Sequence, residues 1–249
     1  MAILRDEIDA NQRAFFDDWT AQAQKNWATL KGDVAFVLSY RRLVSMQALK
    51  TFIVLRRYSN GSILFFTEAH NDALVSHVNA SIGAWRPALQ ALRSCIENVL
   101  NAIYYTDHPV ELELWSAGKH RMTFAELIRY MEGHPRLAGL SARVTGIQYL
   151  KAEYGTLSKA VHGSAARFRM TDKAATVLLW SADPIKASMW SAREEKVLEA
   201  ICLLLICLHR DQLQGASLAS VRDVLGYCVS NSSRALLRKT VTVNVPAPA

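Results

Sequence analysis

The stretch Trp85-Arg-Pro-Ala-Leu-Gln-Ala-Leu-Arg-Ser-Cys-Ile-Glu-Asn-Val-Leu-Asn-Ala-Ile-Tyr-Tyr-Thr106 decides the fold class. Its apolar residues Leu89, Leu92, Ile96, Val99, Leu100 and Ile103 recur at the three- and four-residue spacing of one helical face. Pro87 falls where a first turn tolerates it. Beside that apolar face run Arg93, Glu97 and Asn101, one every fourth residue. Polar groups at the edge of a core-facing stripe are costly unless they find partners. A second helix-forming stretch, with Ile147, Leu150, Leu157 and Val161 as its apolar stripe, carries a matching polar series at Tyr154, Ser158 and His162. Two such stripes can satisfy each other and would enclose a small polar pocket.

Working outward, the rest of the chain reads as helix. Residues 3–30 mix charge with Phe15, Phe16, Trp19 and Trp27, as one long amphipathic helix or two short ones. Asp33 is an N-cap for a helix to about Arg57, broken by Tyr58-Ser-Asn-Gly-Ser. Ile63 to Phe66 has strand character, but a helix through Ala80 suits the length better. His108-Pro109 starts a short helix through Trp115, and Thr123-Phe-Ala-Glu126 is a capping box for a helix over about 124–132. Ser141 is the expected start of the helix to His162, ended by Gly163. Ala175 to Trp180 reads as a strand or a helical turn. Ser191-Ala-Arg-Glu194 reads as a second capping box, opening a helix to Gln214. Short helices over about 217–228 and 232–239 precede a Pro- and Ala-rich tail, 241–249, expected to fray. Over residues 1–249 this predicts a single all-α domain, a helical bundle with N-terminal helices over 1–82, a core over 83–170 and C-terminal helices over 171–240.

Composition narrows the function classes. A net charge of +7 and a pI near 9.3 favour polyanionic partners. Basic runs at Arg41-Arg42, Arg56-Arg57, Lys119-His120-Arg121 and Arg234 to Lys239, with Tyr58, Trp115 and Phe168 nearby, could follow a nucleic-acid backbone. The alternative is that they are solvated faces. Cys95, Cys202, Cys207 and Cys228 lack a C-x-x-C spacing and read as buried free thiols of a reducing compartment. No signal-type N-terminus appears, and the longest apolar stretch, Ala200 to Leu208, is too short for a membrane span, so a cytoplasmic protein is expected. The chain has no Walker A loop, no G-x-G-x-x-G, no G-x-S-x-G and no H-E-x-x-H. Asp107, His108, Glu111 and Glu113 match no metal-ligand spacing and read as turn capping. No metal and no cofactor are expected.

Leu92-Arg-Ser-Cys-Ile-Glu-Asn-Val-Leu100 through Tyr104-Tyr-Thr-Asp-His-Pro109, followed by Tyr154-Gly-Thr-Leu-Ser-Lys-Ala-Val-His-Gly-Ser164, resembles the HEPN-like helical proteins of bacterial defence and toxin–antitoxin systems. The resemblance covers roughly residues 85–170. It implies a HEPN-like centre, a homodimer, an operon-encoded partner protein, and RNA binding or metal-independent RNA cleavage. Under that expectation Arg93 and His162 are the catalytic pair, with Glu97, Asn101, Tyr154, Ser158 and Lys159 in support. The Arg-x4-His spacing at Arg129 and His134 resembles the motif of ribonuclease members, but Gly133 and Pro135 flank His134 and interrupt the helix. A non-catalytic helical module for a protein or small ligand is the competing expectation.

Overall fold

The computed structural model describes residues 2–162, 180–214 and 218–248, with the side chains of Ala2 and Ile3 left aside. The expected helix end at Gly163 and most of the segment 175–180 lie outside them. Among the described residues the chain is all-α, with no strand. No helix there is long and apolar enough to cross a membrane.

Residues 3–30 form one helix, α1 (Ala2–Leu30). Asp33 caps α2 (Val34–Leu49), accepting from the Ala35 N–H at 2.8 Å. The chain then makes a π-helical turn over Lys50–Val54 before α3 (Leu55–Arg57). Ser59 caps α4 (Asn60–Ser81), so Ile63 to Phe66 are helical. A tight turn with Gly83 left-handed leads into α5 (Trp85–Asp107), against which α4 packs along its length. Then come α6 (Pro109–Ser116) and α7 (Phe124–Gly133), the latter opened by the Thr123–Glu126 capping box.

Three expected boundaries move. The helix expected from Ser141 begins only at Ile147, as α8 (Ile147–Val161). Gly146 is left-handed at φ 77°, and a Cβ there would stand 2.5 Å from the Ala200 carbonyl oxygen, so residues 141–146 turn to let two backbones approach. Ser191 is no cap. The helix α9 (Pro184–Leu208) starts earlier, capped by Asp183 with Pro184 in its first turn, and Ser191 and Glu194 lie buried mid-helix. It stops at Leu208, followed by α10 (Arg210–Leu213) rather than continuing to Gln214. After α11 (Ala219–Leu225) and α12 (Asn231–Val241) the tail has no regular structure, yet Val243 and Val245 are buried and Pro246 packs on Gly226. The tail's alternation of apolar residues anchors it where its prolines indicated fraying.

The core forms around α5 and α9. Residues Ala200–Leu208 are buried on every side, as befits a helix that is apolar all round. Its polar contacts are internal and paired. Glu194 of α9 accepts from Arg42 and Ser39 of α2, Arg42 also donates to Ser191, and Trp190 Nε1–H donates to Ser76 of α4 at 2.9 Å. The outer helix α1 is held at its end, where the buried Asn26 donates to the Ile82 carbonyl at 2.9 Å.

Candidate functional site

The helices α5 and α8 run antiparallel. Arg86 Nη2 donates to the Val161 carbonyl at 2.6 Å, and seven residues further along α5 Arg93 Nη2 donates to the Tyr154 hydroxyl at 2.7 Å. This register brings the first polar stripe to Tyr154. The Tyr154 hydroxyl donates in turn to Glu97 Oε1 at 2.6 Å, and Arg93 and Glu97 pair directly at 3.1 Å. The Arg93 guanidinium lies 4.9 Å from the Tyr154 ring centre, while Phe124 stacks on Tyr154 with centres 3.5 Å apart. Burial pulls the Arg93 pKa down, but the Tyr154 hydrogen bond and the Glu97 charge outweigh it and the net shift is upward. Burial and the bond to Glu97 raise Tyr154. At neutral pH Arg93 is therefore a cation and Tyr154 a neutral phenol.

The same register separates the remaining expected residues. His162 caps the C-terminus of α8, exposed, eight residues beyond Tyr154. At 1.5 Å per residue that is about 12 Å along the axis, at the level of Arg86 rather than Arg93. The structure does not bring Arg93 and His162 together. The Ser158 hydroxyl donates to the Tyr154 carbonyl of its own helix at 2.8 Å, and Lys159 is exposed on α8. Gly163, Ser164 and Phe168 lie outside the described residues.

A cleft of about 680 Å³ opens beside the Arg93–Tyr154 pair. One wall is the i, i+4 series of α5, in which Tyr105 follows Arg93, Glu97 and Asn101. The facing wall runs from the end of α6 through the connection to the start of α7, with Trp115, His120, Arg121 and Phe124. Arg93 Nε, the Tyr105 hydroxyl and His120 Nε2 are all buried atoms lacking a hydrogen-bond partner, and all three belong to residues of this cleft. A buried polar atom left unpaired costs roughly 1–3 kcal/mol, so three on one cleft mark a place where an incoming group would be held. Burial pushes the Tyr105 phenol up to about 12, so it enters such contacts protonated.

The sequence pattern signals Arg93, Glu97, Asn101 and Tyr154 but not Tyr105, which is the next member of the same series. His120 and Arg121 appear there only as a basic run. Asp107, read as turn capping, instead accepts from Tyr130 at 2.7 Å and pairs with His134 at 3.1 Å. No protein-family model, curated protein or solved structure matches this chain.

Proposed function

We propose that the chain is an RNA-binding protein, in line with its resemblance to HEPN-like proteins, and that it takes a nucleotide of single-stranded RNA in the α5/α6–α7 cleft. One observation carries this reading: the unpaired Arg93 Nε, Tyr105 hydroxyl and His120 Nε2 all belong to residues lining one cleft, with exposed Trp115 and Arg121 at its wall. Trp115 offers a stacking face, the unpaired groups and Asn101 offer base-edge contacts, and Arg121 offers a phosphate contact. Binding is favoured over cleavage. Acid–base catalysis needs its proton-transfer group within about 3 Å of the reacting atom, and His162 stands two turns from Arg93. The positive charge of Arg93 is, moreover, already matched by Glu97.

The test is fluorescence anisotropy with a labelled single-stranded RNA oligonucleotide. Affinity is expected to fall steeply with salt, as counterions are released, and about tenfold in both His120→Ala and Arg121→Ala. No binding at low salt, or full affinity in both variants, overturns the reading.

A second reading, an interaction module, draws on α1. Leu4, Ile8, Phe15, Phe16 and Trp27 are exposed along it. The helix carries five carboxylates against three cations, on a chain of net charge +7, so its charge complements a second copy of the chain. Light scattering of the full chain and of Phe15→Asp tests this: a wild-type dimer that becomes monomeric supports it, and a wild-type monomer excludes it.

A further inference from the structure

A second cavity, of about 230 Å³, lies on the far side of α5 from the cleft's Arg93 end, where α3, the end of α5, the corner after α7 and the α9–α10 break meet. Its chemistry comes from Arg57, Tyr58, Asp107, His134, Arg136 and His209. His209 is only 8% exposed. Its Nε2 lies 3.2 Å from the Tyr58 hydroxyl, and its Nδ1 has no hydrogen-bond partner. Burial raises the Tyr58 phenol far above its ordinary range, so Tyr58 keeps its proton and can donate it to Nε2. The neutral ring then carries its own proton on Nδ1, a buried donor with no acceptor.

The charges around that donor are unequal. Asp107 is engaged, accepting from Tyr130 and pairing with His134 through Oδ2. Arg136 gives one N–H to the Leu208 carbonyl at 3.1 Å, which leaves the rest of its fork available. Arg57 is exposed at the rim and pairs with no carboxylate among the described residues. Two guanidiniums and a buried N–H thus line the cavity with one carboxylate, whose Oδ2 already takes two contacts. Both guanidiniums also depress the His209 pKa, after burial itself, which places them within electrostatic reach of the ring.

We propose that this cavity binds a phosphate group, with Arg57 and Arg136 supplying charge and His209 Nδ1–H the buried donor. The group could be free inorganic phosphate or the terminal phosphate of a nucleotide. The inference does not depend on RNA entering the α5/α6–α7 cleft, because the two sites share no lining residue.

The test is calorimetric titration of the full chain with inorganic phosphate and, separately, with adenosine monophosphate. Saturable binding of either is expected, weakened about tenfold in Arg57→Gln, whose exposed side chain leaves the fold intact. Binding of phosphate alone identifies the free ion, and binding of both identifies a terminal phosphate; each sustains the site. An NMR titration of the His209 ring supplies an independent readout, since phosphate against Nδ1–H raises the imidazole pKa. His120→Ala should leave this binding unchanged, which separates failure here from failure of the RNA reading. Absence of binding by both ligands overturns the proposal, as does binding that Arg57→Gln leaves unaltered together with an unmoved His209 resonance.

Discussion

Arg42 and Glu194, 152 residues apart, form an ion pair at 2.5 Å that joins α2 to α9 with side chains only 5% and 1% exposed. Burial raises the Glu194 carboxyl, and Arg42 and Ser39 act against that rise. Such a pair contributes little net stability over apolar packing, because desolvation offsets the attraction. Its breakage is another matter. Glu194→Leu strands a buried guanidinium and is expected to cost about 3–5 kcal/mol, whereas Arg42→Met combined with Glu194→Leu recovers most of that loss. Urea denaturation of the two singles and the double decides it; a strictly additive double would refute the coupling.

The part of the stability that rests on His209 should fall on mild acidification. Burial, then Arg136 and Arg57, lowers His209 to about 4, below its unfolded value of about 6.5. The unfolded chain therefore binds more protons in this window, and stability present above about pH 6.5 is lost as pH falls toward 4. For His209 the loss is about 2 kcal/mol between about pH 7.5 and about pH 5. Burial lowers His70 and His77 in the same direction, so His209→Gln should flatten the profile in part. Urea midpoints across that pH range provide the check.

Glycines of similar backbone should respond differently to alanine. Gly146 and Gly118 both have positive φ, 77° and 71°. A Cβ at Gly146 would meet the Ala200 carbonyl at 2.5 Å, but at Gly118 it would meet open space. Gly118→Ala is expected to cost about 1 kcal/mol, from the left-handed backbone alone. Gly146→Ala must also push α8 from α9 and should cost clearly more. Equal melting temperatures for the two variants would contradict the close approach.

Tyr154→Phe removes the hydroxyl that links Arg93 to Glu97 but retains the stack on Phe124. A loss of about 1 kcal/mol is expected, since the direct Arg93–Glu97 pair remains. Tyr154→Ala forfeits the stack as well and should melt lower than Tyr154→Phe.

All four cysteines are buried free thiols, and burial pushes Cys207 up to about 12. Ellman's reagent should leave the native chain unmodified and titrate four thiols in denaturant. Rapid native labelling would show that the α9 core opens.

The helical class and the Arg93–Glu97–Tyr154 contact were legible because period and spacing report on faces of a helix. Tertiary partners were not. Ser191 and Glu194 have the sequence of a capping box, and only the distant Arg42 explains why they sit inside α9 instead. His162 shares the period of Tyr154, yet periodicity cannot tell which residues of α8 face Arg93 once the antiparallel register is fixed by Arg86 and Val161. The His209 cavity left no local signal, since four separate chain segments supply its walls.

The π turn over Lys50–Val54 sets an angular phase. In an α-helix each residue advances about 100°, and a π turn holds one residue more than an α turn. Excising a single residue there would restore ordinary winding and swing everything downstream by about 100°, carrying Arg57 and Tyr58 away from His209. The length of this segment is therefore as much a determinant of the cavity as the identity of any residue lining it: a one-residue deletion that leaves every lining side chain in place would still take the cavity apart.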